Sequence, residues 1–375
     1  MKVSVVIPTI NEEKTIRKVI ESIPYGKLKN MGLETEVLVI DGNSTDKTRE
    51  EAAAAGARVV IEEKLGYGNA YLRGFREASG DIIVMLDGDA TYPSERIPDL
   101  LEPILKNEAD FVIGKRANIE RGAMPRLHRY IGNPLLNLAF RLLFRAKLTD
   151  VNSGMRAISK KALEKLTLTA PEMEFAAEML VEAVKRGLRI REVPIEYRRR
   201  EGESKLKSFK HGWRNLRVIL VHSPRTFLIP GSILFSLGWI LMILLLKGPV
   251  KIGSIGLGLH SMELASLFII LGFQAMVMGI YTDLYSTLIK GYNPGKIAMR
   301  FLKKESLDKW IIVGMVIFVI GLIIGVDIFL QWASLGFGEL DQVSLAIFAS
   351  TLMIFGVQIV FSSLFITPLL LGRRK

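Results

Sequence analysis

Ile82-Ile83-Val84-Met85-Leu86-Asp87-Gly88-Asp89 is a run of five apolar residues that breaks into two carboxylates separated by one glycine. Such a run reads as a strand covered on both faces. The carboxyl ends of parallel strands are where α/β sheets bind their ligands, and the glycine at the strand end lets the backbone turn so that both carboxylates face one pocket. Hard oxygen ligands of this kind suit Mg2+ or Mn2+ carrying a diphosphate. Standing alone, the same letters would also fit an ordinary acidic turn after a strand.

The flanking sequence removes that isolation. The chain opens Lys2-Val3-Ser4-Val5-Val6-Ile7-Pro8-Thr9-Ile10-Asn11-Glu12-Glu13, a strand followed by an amphipathic helix carrying Ile16, Val19 and Ile20. A second strand, Glu36 to Ile40, ends in Asp41-Gly42-Asn43-Ser44-Thr45-Asp46, where Ser44 or Thr45 is placed to cap a helix beginning near Asp46. A third, Arg58 to Ile61, precedes Gly66-Tyr67-Gly68 and a helix over 70–78 that leads into the Asp87 strand. Strands and helices alternate at βαβ spacing, so the sheet is expected to be mostly parallel. Its strand tips then bring Pro8/Asn11, Asp41 and Asp87/Asp89 to one edge. A lone Gly-x-Gly is weak evidence for a phosphate loop, and the dinucleotide fingerprint is absent after the first strand.

In order and spacing, Pro8-Thr9-Ile10-Asn11-Glu12, Asp41 to Asp46 and Asp87-Gly88-Asp89 resemble a family 2 glycosyltransferase of GT-A fold. Asp150-Val151-Asn152-Ser153-Gly154-Met155-Arg156-Ala157, Gly202 to Leu206 and a hydrophobic tail are similar to the polyprenyl-phosphate (dolichyl-phosphate) sugar synthases. The resemblance covers the first 225 residues or so, the size expected of one such domain. It implies transfer of one hexose from a nucleotide sugar to a lipid monophosphate, with a metal held by Asp89, and Asp87 near the metal or the ribose, to offset the charge of the leaving diphosphate. Asp41 then meets the base or ribose, with Pro8, Asn11 and Glu12 as the adjacent wall. The lipid phosphate is already anionic and needs cations to position it rather than a strong base. By resemblance Arg116 and Arg129 match the acceptor-phosphate arginines, supported by Asn133 and Ser153, while Arg200 and Lys205 belong to a segment that closes over the donor diphosphate. In so basic a chain any one arginine could equally be a solvated or lipid-facing charge. Glu174 and Glu178 flank Phe175, and either orients a substrate or lies on a plain helix surface.

The mannosyl branch of the resembling group carries a Gln-His pair after its acidic motif, whereas this chain reads Asp89-Ala90-Thr91-Tyr92-Pro93. A Thr hydroxyl is a poorer metal ligand than a Gln carbonyl. The resemblance therefore favours a UDP donor bearing glucose or N-acetylglucosamine, with GDP-mannose second.

The fold expected is an α/β GT-A catalytic domain (Rossmann-like, mostly parallel sheet) over 1–225 and an α-helical transmembrane domain over 226–375. Four apolar stretches, about 226–246, 264–289, 310–332 and 343–371, are each long enough to cross a bilayer core of roughly 20 residues. Lys290, Lys296, Arg300, Lys303, Lys304 and Lys309 lie between spans two and three, and Arg373-Arg374-Lys375 end the chain. By the positive-inside rule these sit in the cytoplasm, as do both termini and the catalytic domain. No signal peptide precedes the first strand, so export of that domain is not expected. Two shorter stretches, 134–147 and 206–221, mix leucines and aromatics with Arg and Lys. They read as helices lying in the membrane interface, or alternatively as core-packing helices of the catalytic domain.

Net charge is +12, but the basic residues crowd beside the membrane, where anionic lipid attracts each by roughly 1 kcal/mol. A nucleic-acid partner is therefore not expected; the partners are nucleotide sugar, lipid phosphate and bilayer. There is no cysteine, hence neither disulfide nor thiolate chemistry. A Lys-, Arg- and Glu-rich, Gln-poor composition favours a prokaryotic plasma membrane of archaeal type with a dolichol lipid. The four histidines show no metal-ligand spacing. Two other classes make demands that this sequence does not meet. A processive polysaccharide synthase would carry a Gln-x-x-Arg-Trp element, absent here. A transporter with a nucleotide-sensing domain would need a polar path, and only Asp327 falls well inside a span, close to its outer end.

Overall fold

The computed structural model describes residues 1–201, 208–288, 290–292, 295, 299, 305–338 and 342–371. Lys205 lies outside them, as do Leu206, Lys207, most of the basic cluster between spans two and three, and the terminal Arg373-Arg374-Lys375. The chain divides into two units, Met1–Leu220 and Val221–Lys375.

The first unit is built on a seven-stranded sheet of order β3-β2-β1-β4-β6-β5-β7. Its strands are β1 (Lys2–Thr9), β2 (Glu34–Asp41), β3 (Arg58–Ile61), β4 (Ile82–Met85), β5 (Phe111–Ile119), β6 (Arg156–Ser159) and β7 (Ile190–Tyr197). All run parallel except β6, which is antiparallel to β4 and β5. Its helices are α1 (Ile16–Glu21), α2 (Tyr25–Asn30), α3 (Thr48–Ala54), α4 (Tyr67–Glu77), α5 (Ile97–Leu105), α6 (Asn133–Phe144), α7 (Lys160–Leu163), α8 (Phe175–Lys185) and α9 (Ser208–Val221).

The alternation of side chains along a strand divides the core in two. Val3, Val5 and Ile7 of β1 join Ile16, Val19 and Ile20 of α1 and Leu100 and Leu101 of α5 on one face. Val6, Leu38 and Ile40 join Tyr71 of α4, Phe140 of α6 and Phe175 and Leu180 of α8 on the other. Because β4 is wholly buried between these layers, its apolar run ends where the two layers end, and the next polar residues emerge at the sheet edge.

The two basic-apolar helices each pack partly into the core of the first unit and leave other apolar side chains exposed. In α6, Leu136 and Phe140 are buried while Leu135, Leu138 and Leu142 are exposed. The preceding π-helical turn, His128–Gly132, adds exposed Tyr130 and Ile131. In α9, Ile219 packs into the core and Trp213 is exposed. One stripe of each helix thus anchors to the domain and another is left apolar and outward. α6 stops at Phe144, three residues short of the expected 147, because Arg145 takes a left-handed conformation, φ +55, and closes the last turn.

The second unit contains α10 (Arg225–Leu245), a β8 (Val250–Ile252) and β9 (Ile255–Leu257) hairpin, α11 (Leu259–Leu288), α12 (Glu305–Ser334) and α13 (Val343–Leu371). All four of these helices are long and apolar enough to cross a membrane. α10 pairs with α11 and α12 with α13 through glycines spaced seven apart. A Cβ on Gly231 or Gly238 would come 2.8 Å from the carbonyl oxygen of Gly272 or Ala265, and one on Gly314 or Gly321 within 2.8 or 2.7 Å of that of Gly356 or Ala349. Small residues of this kind let backbones meet where no hydrophobic effect drives association. Asp327 is bonded by Gln331 Nε2 at 2.8 Å, and α11 carries a further acid, Asp283, near its carboxyl end.

Candidate active site

Because six of seven strands run the same way, the ends of β1, β2, β4, β5 and β7 and the start of β6 share one edge of the sheet. That edge collects Pro8, Asn11, Glu12, Asp41, Asp87, Asp89, Arg116, Ser153 and Arg200. Its loops are tied to one another. Asn11 N donates to Ser44 Oγ (2.9 Å), Thr45 N donates to Asn11 Oδ1 (2.8 Å), and Glu12 N donates to Thr48 Oγ1 (2.8 Å). Ser44 and Thr45 therefore do not cap α3 as expected; the first turn of that helix is bonded instead by Asp46, which accepts from Thr48 N at 3.1 Å. Asn11, Asn43 and Ala90, one in each of three neighbouring loops, have φ near +60 (51, 63 and 60). Asparagine tolerates that region, but alanine there costs about 1 kcal/mol, a strain of the kind that clusters at functional sites.

Asp87 and Asp89 lie at the tip of β4. Tyr67 Oη donates to Asp87 Oδ1 (3.1 Å), and the 153–154 turn comes so close that a Cβ on Gly154 would lie 2.5 Å from Asp87 Oδ2. Burial pushes the Asp87 carboxyl up to about 7, and the charge of Asp89 adds to the effect. Asp89 Oδ1 accepts from Thr91 N (3.1 Å) and Oγ1 (2.6 Å), while its Oδ2 meets Arg200 Nη2 at 2.9 Å. The same guanidinium stands 3.6 Å from Glu12 Oε1. Thr91 thus serves its neighbouring aspartate. Two adjacent carboxylates, one strongly reluctant to ionise without a compensating charge, make a donor set that fits a hard divalent ion. Among the described residues no cluster of three His, Asp or Glu ligands forms, so the remaining ligands would be oxygens of a substrate or water.

Asp41, at the tip of β2, is completely enclosed. Its Oδ2 accepts from Ser44 N (2.9 Å) and lies 3.9 Å from Arg49 Nε, whereas Oδ1 has no hydrogen-bond partner. Thr9 Oγ1, on the residue in register with Asp41 in β1, is likewise buried and unpartnered. A buried carboxylate oxygen left without a donor costs roughly 1–3 kcal/mol or more, so Asp41 Oδ1 has an acceptor position that a donor N–H or O–H would satisfy.

The 150–156 stretch forms the other wall. Arg116 and Asp150 make a two-toothed ion pair, Nε to Oδ2 at 2.7 Å and Nη2 to Oδ1 at 2.6 Å, with both side chains only 8% exposed. Arg116 thus braces β5 against this loop, and its guanidinium lies 5.3 Å over the Tyr197 ring. Ser153 is fully enclosed and gives its hydroxyl to the Gly114 carbonyl. Asn133 accepts from Asn152 Nδ2 (3.1 Å), whose own Oδ1 accepts from Asn215 Nδ2 (3.1 Å), so α6 and α9 are both tied to the loop. Arg129, in contrast, is exposed, with its guanidinium 5.7 Å over the Tyr130 ring.

Two residues that the sequence reading passed over stand here. Arg156, wholly buried, donates to the carbonyls of Ser153 (2.8 Å), Ala176 (2.9 Å) and Val151 (3.0 Å), fixing the turn beside Asp87. Tyr67 touches Asp87 directly. The first opens β6, a strand that the sequence pattern does not single out, and the second lies inside a Gly-x-Gly motif that is weak evidence by itself. Of the two glutamates flanking Phe175, Glu178 is spent on the backbone of Thr169 and Ala170, while Glu174 Oε2 is buried, 3.8 Å from Arg214 Nη1.

Residues 4–167 match the model of glycosyl transferase family 2, and residues 280–370 match the family 2 C-terminal transmembrane region. The low-salt glycan biosynthesis hexosyltransferase of Haloferax volcanii is 37% identical over 363 residues, covering 96% of this chain and 87% of that protein. A dolichyl-phosphate hexose transferase of the same organism is 36% identical over 212 residues, 56% of this chain and 88% of its own length. Among solved structures, glucosyl-3-phosphoglycerate synthase from Mycobacterium tuberculosis in complex with Mn2+, UDP and phosphoglyceric acid is 29% identical. It matches 58% of this chain and 77% of that one with a TM-score of 0.50. By its sheet edge, its acidic strand tip and a relative matched over almost its whole length, the chain belongs to glycosyl transferase family 2, and within it groups with the membrane-borne polyprenyl-phosphate sugar synthases.

Proposed function

We propose that the protein transfers a single hexose from a nucleotide sugar to a polyprenyl (dolichyl) phosphate at the cytoplasmic face of the membrane, with inversion and with Mg2+ or Mn2+. The product is a lipid-phosphate sugar for protein glycosylation or glycan assembly. The observation that carries the reading is the pairing, on one sheet edge, of an unsatisfied Asp41 Oδ1 with the Asp87/Asp89 pair. Together these suit a nucleoside at one end and a diphosphate at the other. The relative named as a dolichyl-phosphate hexose transferase supports the lipid acceptor, and the one named as a glycan-biosynthesis hexosyltransferase supports transfer of a hexose.

In this reading Asp41 and Thr9 accept from the nucleoside, and Pro8, Asn11 and Glu12 line its flank. Asp87 and Asp89 would hold the divalent ion, whose charge offsets that gathering on the diphosphate as the glycosidic bond breaks. Arg200, seated on Asp89 and Glu12, and Lys205 would pair with the donor diphosphate. An oxygen of the acceptor phosphate attacks the anomeric carbon from the side opposite the diphosphate. Exposed Arg129, beside Asn133 at the start of α6, meets that phosphate as it arrives. The exposed Tyr130, Ile131, Leu135, Leu138 and Leu142 rest in the interface. Arg116 and Ser153 are assigned to the acceptor-phosphate side with Arg129 and Asn133; in the free protein Arg116 is paired with Asp150, and Ser153 donates to the Gly114 carbonyl. A UDP donor with glucose or N-acetylglucosamine is favoured, GDP-mannose being second. The reading is tested by offering Mn2+, UDP-glucose or UDP-N-acetylglucosamine and either polyprenyl phosphate or the free polyprenol. Hexose should enter the lipid extract only with the phosphate, and transfer to the alcohol would overturn the acceptor assignment.

A further inference from the structure

The Gly66-Tyr67-Gly68 motif has a role that no phosphate loop explains. Gly66 has φ +134, and a Cβ there would lie 2.3 Å from the Pro171 carbonyl oxygen; one on Gly68 would lie 2.0 Å from that of Ala170. Both positions are glycine because the 169–171 segment rests directly on them. Asn69 N completes the seat by donating to Pro171 O at 3.0 Å. The segment is held in turn by Glu178, which accepts from Thr169 N (2.9 Å), Thr169 Oγ1 (2.9 Å) and Ala170 N (2.8 Å). The start of α4 is thereby locked, and Tyr67, its first residue, is aimed with its ring 4.9 Å from that of Tyr71 and its hydroxyl 3.1 Å from Asp87 Oδ1.

We propose that Tyr67 is a positioning residue for the sugar-transfer site: its hydroxyl fixes the orientation in which Asp87 presents its carboxylate to the donor-bound cation. The carboxylate has one oxygen bonded by Tyr67 and the other confined by Gly154, so it is held from both sides and only the hydroxyl does so by a removable bond. Groups that hydrogen-bond a metal-ligating carboxylate set its direction, and their loss typically weakens metal affinity 10- to 100-fold. This inference rests on the reading of Asp87 and Asp89 as the cation-and-diphosphate site.

The test is Tyr67→Phe in the full chain, with Mn2+ binding in the presence of UDP followed by the electron paramagnetic resonance signal of free Mn2+. Phenylalanine keeps the ring packing, so the thermal unfolding midpoint should be unaltered. The Mn2+ dissociation constant should rise roughly 10- to 100-fold, and UDP affinity measured without metal should not change. Turnover lost at limiting Mn2+ should be recovered by excess Mn2+, a rescue that a purely structural tyrosine would not give. Wild-type Mn2+ affinity in Tyr67→Phe overturns the proposal. Asp89→Asn in the same titration separates the two levels. If it loses Mn2+ while Tyr67→Phe does not, only the role of Tyr67 fails, and if it too binds Mn2+ as wild type does, the cation site itself is refuted.

Discussion

Replacing Asp41 by Asn should weaken nucleotide binding far more than it disturbs the fold. The carboxylate offers two acceptor oxygens: Oδ2 is used by Ser44 N at 2.9 Å, and Oδ1 is buried without a partner. An amide of the same size has one acceptor and one donor. Whichever way it turns, either Ser44 N or the nucleotide group meets an N–H instead of an oxygen. A hydrogen bond to a charged group contributes roughly 1.5–3 kcal/mol, which corresponds to about a 10- to 150-fold rise in the dissociation constant for UDP. The free protein should lose little, within about 1 kcal/mol, because the bond that is missing was not made before the nucleotide arrived. Calorimetry with UDP on the full chain in detergent, paired with thermal unfolding, reads both quantities. Unchanged UDP affinity, or a large drop in unfolding temperature with affinity intact, would refute the assignment and make Asp41 a purely structural residue of the β2 tip.

The Asp87 carboxyl gives a pH dependence with a definite sign. Held up to about 7 by burial and by Asp89, it must lose a proton to bind a cation, so Mn2+ affinity should fall as pH drops below about 7, by up to tenfold per unit, and be flat above it. The metal-free protein should show the opposite trend, because a group protonated in the fold but ionised when unfolded stabilises the fold as pH falls through about 7 toward its ordinary 3.8. Calorimetric Mn2+ titrations and unfolding curves across that range check the pair, and parallel trends would contradict it. Arg129→Ala should raise the KM for lipid phosphate by about 10- to 150-fold with little change in nucleotide affinity, and Arg129→Lys should recover only part of this because it lacks the planar fork. A loss on the nucleotide side instead would move Arg129 to the donor. Since the chain has no cysteine, single cysteines can report topology. In sealed right-side-out vesicles an impermeant thiol label should reach Ser254→Cys, in the turn between β8 and β9, and not Glu50→Cys, an exposed residue of α3; the reverse pattern would invert the orientation read from the basic residues.

The frame of the site was legible because its features are local. A buried apolar run that stops at Asp87 marks both strand and tip, and the same pattern at Thr9 and Asp41 puts three tips on one edge once the strands are parallel. Four long apolar stretches identify themselves by length alone. What escaped depends on residues far apart in the chain. Arg116 reads as a free cation until Asp150, thirty-four positions later, is seen gripping it. Ser44 has the letters of a helix cap but spends its hydroxyl on Asn11. Gly66 and Gly68 look like a poor phosphate loop because nothing nearby in sequence reveals that Ala170 and Pro171 lie on them. The reversal of β6 left no mark either, since a four-residue strand reading Arg-Ala-Ile-Ser has no direction in its composition.

The central claim, that this sheet edge moves one hexose onto a membrane-borne phosphate, is tested most directly by mass. The purified full chain would be incubated with polyprenyl phosphate, Mn2+ and in turn UDP-glucose, UDP-N-acetylglucosamine and GDP-mannose, and the lipid product analysed by mass spectrometry. The account predicts acceptor plus a single hexose or N-acetylhexosamine, formed best from a UDP donor and abolished by Asp89→Asn. A ladder of products extended by many sugars, or nucleotide sugar consumed with no sugar on the lipid, would contradict it.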